Sequence, residues 1–72
     1  MQRYEEALKD FDRAIELDPK DAWPISRRGE TYCLMERYSE ALKDFDCAIE
    51  LDPKDAWAIA QRGKTYQSMK RY

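Results

Sequence analysis

The chain contains no histidine and no asparagine in its 72 residues. Without histidine it lacks the commonest metal ligand and the commonest general base near neutral pH. No nucleophile–base pair can then be built around Ser26, Ser39 or Ser68, and neither catalysis nor a cofactor nor a metal is expected. The paired carboxylates Glu5-Glu6 and Asp44/Asp46 read as solvated helix faces. Glycine occurs twice, at the isolated positions Gly29 and Gly63, so there is no glycine-rich phosphate loop. Two cysteines do not make a disulfide framework. Cys33 and Cys47 are expected as free thiols in a reducing compartment, since a metal site would want four ligands at tighter spacing. No apolar run approaches the ~18 residues of a membrane span. No apolar stretch follows a basic start either, so the expected setting is the cytoplasm, without a leader peptide. The 13 Lys and Arg against 15 Asp and Glu leave a net charge of -2. A basic stripe is missing, which argues against nucleic acid as a partner.

What is present is a repeat. Displaced against itself by 34 residues, the chain is identical at 28 of the 38 pairs formed. The run Ala14 to Trp23 matches Ala48 to Trp57 without a difference. Within each copy the apolar spacing is helical. Tyr4, Ala7, Leu8, Phe11, Ala14 and Ile15 form one stripe, repeated by Tyr38, Ala41, Leu42, Phe45, Ala48 and Ile49. Ala22, Ile25, Gly29, Tyr32 and Met35 form a second, repeated by Ala56, Ile59, Gly63, Tyr66 and Met69. Asp18-Pro19 and Asp52-Pro53 stop a helix, because the residue before proline is pushed out of the helical region. Asp21 and Asp55 can cap the next one. The spacing predicts helices over 3–18, 22–35, 37–52 and 56–70. Pro24 then falls in a first turn, where its missing N–H is not needed.

A 34-residue period with two helices per unit resembles the tetratricopeptide repeat. The complete unit carries the resemblance at Gly29, Tyr32, Tyr38, Ala41, Phe45, Ala48 and Pro53. The partial copies carry it at Tyr4, Ala7, Phe11, Ala14 and Pro19, and at Gly63, Tyr66 and Tyr72. The resemblance implies an all-α fold, with antiparallel helical hairpins stacked as a right-handed solenoid. One domain is expected over 1–72, made of a half repeat at 1–21, a full repeat at 22–55 and a half repeat at 56–72. The helix order is B-A-B-A, out of phase with the family's unit, as in an excised or designed piece of a longer array. Repeat packing is assigned to Gly29, Tyr32, Ala41, Phe45, Ala48, Gly63 and Tyr66. Each glycine should mark a close approach by a neighbouring helix, because glycine inside a helix costs ~1 kcal/mol relative to alanine. Where the family usually has leucine before the glycine, this chain has Arg28 and Arg62. Ion pairs from these arginines back to the preceding helix are expected, drawn from Asp10, Asp12, Asp44 and Asp46.

The resemblance also implies a function: binding a protein or peptide on a concave groove lined by the first helix of each unit. That groove would comprise Trp23, Ser26, Arg27, Glu30, Cys33, Leu34, Trp57, Ala60, Gln61, Lys64, Gln67 and Ser68. Five of the ten differences between the copies fall there, at Ser26, Arg27, Glu30, Cys33 and Leu34. A constant scaffold under a varied surface gives that pattern, and so does free drift at exposed positions. Trp23 and Trp57 could anchor a peptide or pack on the neighbouring helix, and packing is the favoured reading. A carboxylate clamp of paired Lys and Asn, found in some members, is not expected without asparagine. The alternative function is self-assembly, in which end helices that lack their own partners pair with other copies by swapping or head-to-tail stacking. Chains below roughly 70–80 residues seldom bury a core that is ample on its own.

Overall fold

The computed structural model describes residues 3–70, and these form four helices with no strand among them. They are α1 (Tyr4–Leu17), α2 (Ala22–Leu34), α3 (Tyr38–Leu51) and α4 (Ala56–Met69). Every boundary lies within one residue of its expectation. The slab they form measures 40 × 33 × 16 Å. Consecutive helices pack on one another, α2 also touches α4, and α1 and α4 do not meet.

The turns show why the helices stop where they do. Asp18 and Asp52 leave the helical region of the backbone before their prolines, and each still donates its N–H to the carbonyl four residues back. Their side chains accept from the N–H groups of Lys20 and Lys54. Asp21 and Asp55 then cap α2 and α4, but not identically. Asp55 accepts from the Ala58 N–H at 3.2 Å. At the matching position Pro24 has no N–H to give, and Asp21 accepts from Trp23 instead, at 3.1 Å. The cap survives the proline by moving one residue, and Pro24 lies in the first turn as expected, where it is also buried. Between α2 and α3, Glu36 sits at φ 65°. The Arg37 N–H reaches Tyr32 O and the Glu36 N–H reaches Cys33 O. This is the usual glycine-ended helix stop, here closed by a glutamate.

The core runs between the helices. Phe45, Ala41 and Ala48 are fully buried, and Ile25, Ala48 and Ala58 pack with Ile15, Ala22 and Ile49. Gly29 faces Phe45 so closely that an added Cβ would lie 2.9 Å from ring atom Cε1. The close approach expected at Gly29 is therefore present. At Gly63 it is not, since nothing among the described residues lies within 4 Å of where a Cβ would be. The assignment of Gly63 and Tyr66 to packing is corrected accordingly, Tyr66 being 50% exposed. The reason is that α3 covers the glycine face of α2, whereas no described helix covers that face of α4.

This difference gives two substitutions opposite signs. Gly29→Ala forces a methyl group onto Phe45, and overpacking typically costs about 1–3 kcal/mol. Gly63→Ala meets no neighbour and gains up to ~1 kcal/mol of helix propensity. Thermal denaturation in dilute solution should show the first variant melting lower and the second higher. Shifts of the same sign would show that the two glycines share one environment.

Candidate functional site

Arg28 joins three helices. Its Nε and Nη2 donate to Asp44 Oδ2 and Oδ1 on α3 at 2.8 and 2.7 Å, and its Nη1 donates to Asp12 on α1 at 2.8 Å. The forked guanidinium matches the carboxylate with two parallel bonds. The Asp44 hydrogen bonds, with help from Asp12, hold the Arg28 guanidinium above its ordinary pKa, against a partial burial that opposes them. The pair to the preceding helix is as expected, and the stronger pair to the following helix is an addition. Arg62 repeats only the first of these, donating to Asp46 at 2.8 Å. The Tyr32 hydroxyl is pushed up, mainly by burial.

On the α2–α4 side the structure brings Trp23, Arg27 and Trp57 together. The Arg27 guanidinium lies 4.3 Å from the Trp57 ring centre and 5.7 Å from that of Trp23. Cation–π attraction at such distances contributes ~0.5–1 kcal/mol near a surface. Arg27 Nε is buried and makes no hydrogen bond with the described residues; the indole face next to it supplies partial compensation. Arg27 also pairs with Glu30 at 3.3 Å. Each tryptophan meets a phenylalanine of the preceding helix edge-on, Trp23 with Phe11 at 6.2 Å and Trp57 with Phe45 at 6.4 Å. Trp23 nevertheless remains 59% exposed. Packing on the neighbouring helix, the favoured reading of the tryptophans, is present on the phenylalanine side, while much of Trp23 faces solvent.

Beyond this clasp lies a cavity of about 220 Å³ lined by Glu30, Cys33, Leu34, Tyr38, Gln61, Lys64, Thr65 and Ser68. It unites six residues of the expected groove with Tyr38 and Thr65, which sequence reasoning missed. Thr65 is buried and donates its hydroxyl to Gln61 O at 2.8 Å. Its oxygen, 2.9 Å from Cys33 Sγ, then accepts from the thiol, which ties α4 to α2. The signal for Thr65 was its identity with Thr31 on a face next to varied positions. Among the described residues Lys64 makes no ion pair, so its ammonium is available to a partner.

The other groove positions lie elsewhere. Ser26 is 2% exposed, and its hydroxyl donates to Trp23 O at 3.0 Å. Its place on the groove surface is corrected, because α1, α3 and α4 all pack against α2. Ala60 and Gln67 are exposed and do not line this cavity. A wider hollow of about 620 Å³ separates the two Asp-Pro turns. Exposed charged turn residues (Lys20, Lys54, Asp52) dominate its rim, and we do not place the site there. No helix of the described residues is long and apolar enough to cross a membrane. Cys33 and Cys47 are free thiols, Cys47 exposed.

Near-identical helix pairs, stacked by contacts sixteen residues apart and presenting a varied face, define a helical repeat protein. The family follows from comparison with known repeats. The tetratricopeptide repeat model matches residues 23–55, and a second TPR repeat model matches residues 1–35. The chain belongs to the tetratricopeptide repeat family, whose repeats generally mediate protein–protein interaction. Comparison with curated proteins gave no match.

Proposed function

We propose that the chain is a protein-interaction scaffold that binds a peptide segment of a partner along α2 and α4, without catalysis. The observation that carries this reading is the α2–α4 cavity, where apolar Leu34 and Lys64, a cation with no ion pair among the described residues, face one space. A segment with an apolar side chain beside an acidic one suits that lining. The clasp of Arg27 between Trp23 and Trp57 would preorganise the neighbouring surface, which lowers the entropic cost of binding. The unit doing this is the full repeat at 22–55 completed by α4. The setting is the cytoplasm, where Cys33 and Cys47 remain thiols.

Selection of random dodecapeptides displayed on phage against the immobilised chain tests the reading. Selected peptides should be enriched in acidic residues next to apolar ones. Lys64→Glu should weaken their binding at least about tenfold, consistent with loss of a charge-assisted contact, with helix content unchanged by circular dichroism. Equal binding by Lys64→Glu would place the peptides elsewhere and remove the groove from consideration.

A second reading, self-association through the end helices, is favoured by a separate observation: the uncovered glycine face of α4.

A further inference from the structure

Helix α4 carries the stripe of α2 but not its cover. Ile25 is 4% exposed, and its copy Ile59 is 43% exposed. Met69 and Tyr66 on α4 are also exposed, whereas Tyr32 on α2 and Met35 at its C-terminal cap are half-buried. Gly29 lies beneath the Phe45 ring, and Gly63 lies beneath none of the described residues. Arg28 is held by Asp12 from one side and Asp44 from the other, while Arg62 has the counterpart of the first alone. The α4 face therefore has three unfilled places: an apolar stripe, a slot for a ring above a glycine, and a guanidinium edge for a carboxylate.

Helix α1 is the piece shaped for them. It matches α3 at twelve of fourteen positions, differing at Glu5/Ser39 and Arg13/Cys47. Phe11 stands where α3 has Phe45, and Asp10 stands where α3 has Asp44. In its own chain Phe11 is half-buried against Trp23, and Asp10 is exposed with no ion pair among the described residues. The chain cannot bring the two faces together by itself, because α1 and α4 do not meet.

We propose that α1 of a second copy docks on α4 in the register that α3 adopts on α2, with Phe11 over Gly63 and Asp10 on Arg62. This rests on the self-association reading and fixes its mode. The two docking faces differ, so the contact is heterologous, and each added copy again presents a free α4 face. Growth is open-ended and does not stop at a closed, helix-swapped pair.

Light scattering behind a sizing column, over a wide concentration range with reductant present, tests this. The chain should rise above its monomer mass of 8.6 kDa and keep rising with concentration. Gly63→Val fills the slot meant for Phe11 and should weaken association at least about tenfold. Asp10→Lys sets a cation against Arg62 and should do the same from the other end. Both positions are exposed, and circular dichroism should show unchanged helix content. The decisive sample is the two variants mixed one to one. One retains a working α1 face and the other a working α4 face, so the mixture should pair and stop at two chains. A parent chain that stays at 8.6 kDa throughout would overturn self-association itself. A parent chain that plateaus as a dimer, or variants that assemble as it does, would leave self-association standing and overturn this docking.

Discussion

Phe45→Ala is expected to remove a large share of the protein's folding stability. Removing a fully buried phenylalanine costs about 3–5 kcal/mol through lost burial and the cavity left behind. A domain of this length has total stability on the order of 4–11 kcal/mol, at roughly 0.05–0.15 per residue. Phe45 is worth this much because its ring fills two contacts at once. One side covers Gly29, and the edge meets Trp57 at 6.4 Å. Phe11 is the same residue type at the same place in the repeat, but it is half-buried and meets only the second kind of partner, Trp23. Phe11→Ala should therefore lose about half as much, roughly in proportion to the apolar area it buries. Denaturant titration in dilute solution measures both. Equal losses would mean that the cover over Gly29 contributes nothing.

Arg28→Ala should follow at about 3 kcal/mol. Asp44 is 5% exposed, and both of its carboxylate oxygens accept from Arg28. Removing the guanidinium leaves a buried charge without its partner, which commonly costs about 3–5 kcal/mol. The lower end applies here because the arginine head is partly wet. The cost belongs to the stranded carboxylate more than to the pair. Arg28→Leu combined with Asp44→Leu should consequently recover most of the loss. Arg62→Ala, which releases one bond to a well-exposed Asp46, should change stability by under ~1 kcal/mol. An Arg62→Ala loss as large as that of Arg28→Ala would refute the role given to burial. So would a double variant no more stable than Arg28→Ala.

Much of this fold was legible in the sequence because its determinants are local. Asp18-Pro19 and Asp52-Pro53 end helices through the backbone of two residues. Asp21 and Asp55 start helices through one side chain. Gly29 announced a close neighbour, because a helical glycine needs a compensating contact. The failures share a cause. A repeat of 34 implies that residues one period apart have the same surroundings, and surroundings depend also on which helix comes next. Gly63 and Tyr66 copy Gly29 and Tyr32 in sequence, yet no described helix plays the part of α3 for them. Ser26 and Ala60 occupy one register position, but only the former is enclosed. Nor does a sequence mark the Glu36 turn, where the expected residue for a left-handed helix stop is glycine and the chain supplies glutamate. For the candidate site, the varied positions named one face. Which of them line a common space with Tyr38 and Thr65 was set by the placement of α2 against α4.

Several decisive contacts share one spacing. Gly29 meets Phe45, and Arg28 meets Asp12 and Asp44, each sixteen residues away along the chain. Arg62 meets Asp46 at the same separation. A loop that short closes on the order of 10–100 ns, and no pairing between the ends of the chain is needed first. The polypeptide is thus committed to fast assembly, in roughly microseconds to milliseconds as for other proteins dominated by near-neighbour contacts. Any helical hairpin along it can serve as the starting point, with the next helix adding to the last.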